Sequence, residues 1–396
     1  MNIGFVSTWY ERGAAYVTRQ YIELLEGKHQ VYVYARAGEK ERDNQEWNQS
    51  YVTWGKRTGE NYRINWHDFK KWIVKNQIEV VLFNEQQQMD ILADIKKNMP
   101  KLRIGAYIDY YRRDTIQKHK LYDFLICNTK RHFETFQWHP QCYYVPWGTD
   151  VDLFRYKERE GDEVIFFHSA GRSDRKGTVL LVETFLHSDL WEKSRLIIHT
   201  QLDELRKQGY DYAALKAKNV DVIEKTVTAP GLYYLGDIYV YPCELDGLGL
   251  SIYEALSCGM PVIGTDIPPI NEPINEGNGR VVKVAKSIAR EDGYYWPLSI
   301  ADRDDLYRQM KYYVDHKEHL KEIRKNVRED AVRRFNWRDR QELVNRIFEQ
   351  STLLHEYDDE YLKSYKIKKS IGQKIDYLIQ TLLNCEKPWW RFKKNN

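Results

Sequence analysis

Tyr241-Pro242-Cys243-Glu244-Leu245-Asp246-Gly247-Leu248-Gly249-Leu250-Ser251-Ile252-Tyr253-Glu254-Ala255-Leu256-Ser257-Cys258-Gly259-Met260-Pro261-Val262-Ile263 is the stretch on which the reading of this chain turns. An apolar strand pattern ends at Tyr241, a glycine loop holds an acid, a helical pattern begins near Leu250, and Gly259 with Pro261 stops it. Strand, loop and helix in that order make an anion site. Gly247 and Gly249 lack side chains, so backbone N–H groups and the positive helix end can approach a ligand phosphate closely. Asp246 stands beside that phosphate. Glu254, eight residues on, lies in the first turns of the helix, where a carboxylate can hydrogen-bond a pair of sugar hydroxyls. The same letters also read plainly: Ser251-x-x-Glu254 is a capping box, and Asp246-Gly247 is a common turn pair.

Working outward, short apolar runs alternate with helical patterns. Val164–Phe167, Leu196–Ile198, Val220–Ile223, Ile238–Tyr241 and Val262–Ile263 form one strand series. An earlier series holds Ile3–Val6, His29–Tyr34, Val80–Phe83, Ile104–Ile108 and Phe124–Cys127, running up to Val145-Pro146, with a helix at Tyr16–Leu25 between its first two strands. Continuous apolar runs suit parallel sheets covered on both faces. A chain of 396 residues exceeds what one core supports. The expectation is two α/β Rossmann-like domains, 1–155 and 156–345, with Pro146–Glu160 as the linker. Helical patterns follow at Asp302–His316, His319–Phe335 and Trp337–Leu354. Residues 346–396 are expected as C-terminal helices packing back on the first domain.

Charge and composition exclude several classes. Hydrophobic residues are 42% and charged residues 30%, a globular composition. No apolar run reaches a membrane-spanning length, and Met1-Asn2-Ile3-Gly4-Phe5-Val6 enters a strand without a basic leader. Five cysteines without a C-x-x-C pair suggest neither a disulfide framework nor a zinc knuckle, and a cytoplasmic location is expected. The net charge is +3. From Leu362 to Asn396, nine Lys and Arg face two acids, a balance of +7 that leaves −4 on residues 1–361. A body so near neutral argues against a nucleic-acid binder.

Further candidates lie in other loops. Gly171-Arg172-Ser173-Asp174-Arg175-Lys176-Gly177-Thr178 joins a strand to the helix Val179–Phe185. Arg172 and Lys176 are placed there to reach a diphosphate, whose charge grows as a phosphate leaves, and Thr178 is the expected helix cap. Plain solvation of the two cations is the alternative. The first loop, Ser7 to Ala15, lacks G-x-G-x-x-G, which disfavours a nicotinamide site, while Gly13 still permits backbone contact with a ligand. Asp150-Val151-Asp152 resembles a metal D-x-D, but its place in the linker favours turn capping. His168 and His199 lack partners at ligand spacing and read as hydrogen-bonded residues at strand ends. Gln86-Gln87-Gln88 lines a cleft or is simply solvated. No metal site is assigned.

Taken together, these residues resemble the retaining GT-B glycosyltransferases, in particular family four. Val145-Pro146-Trp147-Gly148-Thr149-Asp150-Val151-Asp152-Leu153-Phe154 is similar to that family's domain junction, Gly171-Arg172 with Lys176-Gly177 to its diphosphate loop, and Asp246 to Glu254 to its E-x7-E element. Thr265-Asp266-Ile267-Pro268-Pro269-Ile270-Asn271-Glu272 is similar to the following loop, and Phe335-Asn336-Trp337 to the entry into the last helices. The resemblance implies a GT-B fold of two parallel-sheet domains facing across a cleft. It implies a UDP- or GDP-sugar donor, with Glu254 on the ribose and Arg172 and Lys176 on the diphosphate. Asp246 and the N–H groups of Gly247, Leu248, Gly249, Leu250 and Ser251 would meet the transferred sugar and distal phosphate. The chain departs from the pattern in having Asp246 in place of Glu, Asp109 where the family often has a His near the sugar, and Gly13-Ala14 in place of a glycine pair.

The expected function is thus metal-independent, cofactor-free transfer of a sugar, with retention, to a glycan, glycolipid or protein acceptor. An epimerase or phosphorylase on the same fold, or a sugar-binding relative without turnover, are the rivals. The stripe Ile371, Ile375, Leu378, Ile379, Leu382 and Leu383, followed by Trp389-Trp390-Arg391-Phe392-Lys393-Lys394, suits an anionic membrane surface or packing against the first domain.

Overall fold

The computed structural model describes residues 1–56, 63–86, 88–354 and 357–365. Seven strands form the first sheet: β1 (Asn2–Thr8), β2 (Gln30–Ala37), β3 (Val52–Trp54), β4 (Val80–Asn84), β5 (Arg103–Tyr107), β6 (Phe124–Cys127) and β7 (Cys142–Tyr144). Their order is β3-β2-β1-β4-β5-β6-β7, and every pair is parallel. Six more form the second: β8 (Val164–Gly171), β9 (Ser194–Thr200), β10 (Val220–Glu224), β11 (Ile238–Tyr241), β12 (Val262–Thr265) and β13 (Gly279–Val282). Their order, β10-β9-β8-β11-β12-β13, repeats the plan, again all parallel. These are two Rossmann-like α/β domains with helices. A two-stranded antiparallel ladder, β14 (Val284–Ile288) with β15 (Leu298–Ala301), stands apart.

The chain divides into two units. The first holds Met1–Cys127, His132–Val145 and the described residues from Gln341 onward; the second holds Asn128–Arg131 and Pro146–Arg340. In the first unit β4 is buried along its whole length, as expected of a central parallel strand. The helix Gln341–Gln350 packs on the helix Gly13–Leu25, where Asn345 Nδ2 donates to the Leu24 carbonyl at 3.1 Å. Phe348 sets its ring 5.6 Å from Phe124 and 6.3 Å from Phe5. The Ile371–Leu383 stripe, the basic aromatic end and Gln87 lie outside the described residues.

In the second unit, Phe166, Ile198, Val240 and Ile263 from four neighbouring strands meet Leu181 and Phe185 of the helix Thr178–Leu186 and Leu306 and Met310 of the helix Arg303–Asp315. Each such fully buried side chain contributes about 1.5–3 kcal/mol, enough to fix strand order and register. The order reverses between β8 and β11, so the loops leaving their carboxyl ends, 172–177 and 242–249, open at the same point of the sheet.

Candidate functional site

That reversal brings together two of the loops singled out from sequence. After β8 the chain makes a 3₁₀ turn, Asp174–Lys176, and then enters the left-handed region at Gly177, φ 71°. A Cβ at Gly177 would stand 2.1 Å from the Pro242 carbonyl oxygen, so only glycine lets the two loops touch. Across that contact Lys176 Nζ reaches Asp246 Oδ2 at 2.5 Å. The Tyr241 hydroxyl donates to the same carboxylate oxygen, and the Lys176 ammonium lies 4.8 Å from the Tyr241 ring centre. Asp246 Oδ1 accepts from the main-chain N–H groups of Leu248, 3.1 Å, and Gly249, 2.9 Å. Gly249, φ 77°, is the residue from which the helix Leu250–Ser257 starts.

The electrostatics follow from this packing. Burial alone would push the Asp246 carboxyl up, but the Lys176 ammonium, the Tyr241 hydroxyl and the Gly249 amide outweigh it and hold the group well below the usual carboxylate range. For Lys176 burial favours loss of the proton, yet the facing carboxylate prevails and the ammonium is held above its ordinary value. The result is a charged pair in a largely desolvated setting at the positive end of a helix, and the Leu248 and Gly249 amides, expected to meet the ligand, are instead taken up by the Asp246 carboxylate.

Glu254 corrects the capping-box reading. The helix begins at Leu250, which puts Ser251 in its second position and Glu254 in its fifth, too far along to reach back to the helix start. Its carboxylate instead accepts from the Tyr233 hydroxyl. Burial pushes the Glu254 carboxyl up, and the Tyr233 bond and the Lys176 charge pull against it. At the far end of the same helix, Arg328 Nη1 donates to the Ser257 carbonyl at 2.7 Å and Arg324 Nε to the Gly259 carbonyl at 3.2 Å. Two cations thereby satisfy the carbonyls at the negative end and set the helix that carries the site.

Other expected residues fall elsewhere. Arg172 is exposed and donates from Nε to Gln201 Oε1 at 2.7 Å, so it stands at the ends of β8 and β9 rather than in the Lys176 cluster. Thr178 does not cap its helix; the left-handed Gly177 takes that place, and the Thr178 hydroxyl lies 3.0 Å from His168 Nε2. His168 Nδ1 faces the Val240 carbonyl at 2.8 Å, which requires the proton on Nδ1 and makes Nε2 the acceptor from Thr178. Burial pushes this imidazole down to about 4, so it is neutral at pH 7. His199 is likewise hydrogen-bonded, to the Ser169 hydroxyl and the Lys225 carbonyl. Asp150 accepts from the amides of Asp152 and Leu153, a turn cap. Gln86 is buried and accepts from Arg36. In the first unit, Gly13 is exposed at the first position of its helix, and Asp109 is half-buried just beyond β5. Among the described residues no three His, Cys, Asp or Glu side chains are grouped to hold a metal ion.

Sequence reading missed Tyr241 and Tyr233. Tyr241 ends a parallel strand at the reversal point, and polar groups in that position face the ligand crevice, so the signal was present. Tyr233 lies in the 3₁₀ turn Tyr233–Leu235, which no pattern marks.

Residues 162–291 match the glycosyl transferases group 1 family. Arg172, Lys176, Asp246 and Glu254 all lie inside that stretch. No curated protein matches the chain. Among solved structures, HepE of Anabaena in complex with UDP superposes with a TM-score of 0.66 at 12% identity, over 88% of this chain and 99% of that one. The sucrose-phosphate synthase of Thermosynechococcus elongatus gives 0.67 at 16%, over 88% and 98%. The lipopolysaccharide outer core galactosyltransferase WaaB gives 0.63 at 14%, over 89% and 100%. The fold is GT-B, and together with the group 1 match it supports a GT-B glycosyltransferase.

Proposed function

We propose that this chain is a retaining, hexosyl-type glycosyltransferase that moves a sugar from a UDP- or GDP-sugar to an acceptor hydroxyl in glycan or glycolipid assembly. The observation that carries the reading is the Lys176–Asp246 pair at 2.5 Å, set at the start of the helix Leu250–Ser257. A departing nucleoside diphosphate gains negative charge, and a preformed cation at the positive end of a helix stabilises it more than the intact donor. Asp246 keeps Lys176 protonated for that moment. Arg172, exposed on the neighbouring strand end, supplies the second cation, and Glu254 holds the ribose hydroxyls. By the same resemblance Asp109 and Gly13 serve the sugar and phosphate from the first unit. The bond from the anomeric carbon to the phosphate oxygen breaks, the bond to the acceptor oxygen forms on the same face, and the acceptor proton passes to the leaving diphosphate.

HepE of Anabaena is also solved with UDP-glucose, which makes that donor the first probe. We further propose that the reaction needs no metal, that the protein works in the cytoplasm, and that its basic aromatic end meets an anionic membrane face where a lipid-linked acceptor lies. No helix among the described residues is long and apolar enough to cross a membrane. Calorimetric titration with UDP, GDP, UDP-glucose and GDP-mannose, alongside UDP release from UDP-glucose and the anomeric configuration of the product by NMR, tests the reading. Binding of none of the four nucleotides refutes it, and an inverted product refutes retention.

A further inference from the structure

Asn128–Arg131 fold with the second unit, although the residues on either side of them, up to Cys127 and from His132 to Val145, belong to the first. Arg131 is only 3% exposed. Its Nη1 donates to the Pro268 carbonyl at 2.6 Å, its Nη2 donates to the Asp246 carbonyl at 2.7 Å, and its guanidinium lies 5.1 Å from the Trp296 ring centre. The main-chain N–H groups of Lys130 and Arg131 donate to the two Glu272 carboxylate oxygens at 2.7 and 3.0 Å. Burying a guanidinium is costly, and an apolar residue would fill the same space more cheaply. A cation kept here, and aimed at the main chain of the donor loop, calls for a role beyond packing.

The role follows from the planar peptide. The Asp246–Gly247 bond is not among the two cis peptides, so its carbonyl and the following N–H point to opposite sides of one plane. Gly247 has no side chain to fix that plane. The Asp246 side chain is held from one side by Lys176, Tyr241 and its own loop amides, and the Asp246 carbonyl is held from the other by Arg131. We propose that Arg131 is a positioning residue of the donor site: by gripping the Asp246 carbonyl it fixes the Asp246–Gly247 peptide plane, and with it the main chain that leads into the helix Leu250–Ser257. Trp296, from the loop between β14 and β15, keeps the guanidinium plane in place. The inference rests on the donor site proposed above.

Arg131→Ala and Arg131→Lys test it, because lysine replaces the charge but not the two-pronged, stackable plane. Three readouts are taken: kcat and KM for UDP release from UDP-glucose, melting temperature, and hydrogen exchange of residues 244–251. The alanine variant is expected to lose about 10²-fold in kcat, the scale of a roughly 1 Å misplacement, with KM changed by less than about threefold. The lysine variant should fall between. Exchange in 244–251 should quicken at least about tenfold while the strands β8 and β9 keep their protection. Unchanged kcat in both variants overturns the proposal, as does slower turnover that tracks only the folded fraction with loop exchange unaltered. If the alanine variant does not fold, the lysine variant carries the same readouts. If the wild-type chain releases no UDP, the donor reading fails, and loop exchange alone still decides whether Arg131 sets the loop.

Discussion

Asp246→Asn separates two jobs of one side chain. The amide oxygen of asparagine still accepts from the Leu248 and Gly249 N–H groups, while the charge opposite Lys176 is gone. Side-chain exposures of 20% for Lys176 and 17% for Asp246 set the size of the loss. An exposed ion pair contributes about 0–1 kcal/mol, and removing one partner of a fully buried pair costs about 3–5 kcal/mol. A mostly desolvated pair with a further tyrosine donor lies between, at about 2–3 kcal/mol. Asp246→Ala also strips the helix start of its acceptor and should cost about 1 kcal/mol more. The signs with pH follow from the shifts. Asp246 is depressed in the folded state, so its contribution is present above the ordinary aspartate value and is lost as pH falls through the folded one. Lys176 is raised, so its contribution is present below the ordinary lysine value and is lost as pH rises through the folded one. The stability gap between wild type and Asp246→Asn should therefore be flat from about pH 5 to 9 and begin to shrink below about pH 4. Urea unfolding at several pH values measures it. A gap under about 0.5 kcal/mol at pH 7, within the ordinary scatter of surface changes, or one that widens in acid, would refute the reasoning.

Other outcomes are equally specific. Arg172→Ala should leave melting temperature nearly unchanged, since the side chain is exposed, and Lys176→Met should lower it; both should cut turnover by about 10²–10³, and full activity in both would remove the diphosphate assignment. Glu254→Gln keeps an acceptor for the Tyr233 hydroxyl, so it should retain stability while weakening UDP binding by about tenfold, read by calorimetry; unchanged affinity would confine Glu254 to structure. Turnover should survive EDTA, and a loss restored by magnesium or manganese would show a metal requirement. Truncation after Leu383 should reduce co-sedimentation with anionic liposomes, most at low salt, without loss of donor hydrolysis; equal sedimentation of both proteins sinks the membrane proposal.

How much of this was legible depends on where the controlling contacts lie in the chain. Strands buried on both faces announce themselves by continuous apolar runs, and Phe124–Cys127 and Ile238–Tyr241 coincide with β6 and β11 to the residue. Val52–Trp54 and Gly279–Val282 went unread because three or four partly exposed residues at or near a sheet edge carry no periodicity. The β14–β15 ladder was lost for a related reason: Lys286, Ser287 and Ile288 are exposed, so the pairing rests on backbone hydrogen bonds rather than on an apolar pattern. The capping box shows the opposite failure. Its letters are correct, but the helix starts two residues too early for them, because the left-handed Gly249 is its cap.

The charged members of the candidate site, Lys176, Asp246 and Glu254, could be picked out from sequence; their tyrosine partners and their couplings could not. Arg172, Lys176 and Asp246 stand in the two loops that the reversed sheet order brings together, and Glu254 on the helix that the second of them opens. Whether Lys176 faces solvent or Asp246 is decided by the approach of Gly177 to the Pro242 carbonyl, a contact between chain segments 65 residues apart. Sequence offers only a glycine there, and a glycine in a loop has many causes. The Asp-for-Glu departure acquires a physical meaning at the same point. One methylene shorter, the Asp246 carboxylate folds onto the amides two and three residues ahead of it, as aspartate does in turns, and presents its other oxygen to Lys176. A glutamate, one methylene longer, would lose that tight turn geometry. We therefore expect Asp246 to act on the donor through the lysine it charges and the loop it shapes. Asp246→Glu, though conservative in charge, should then disturb turnover more than stability.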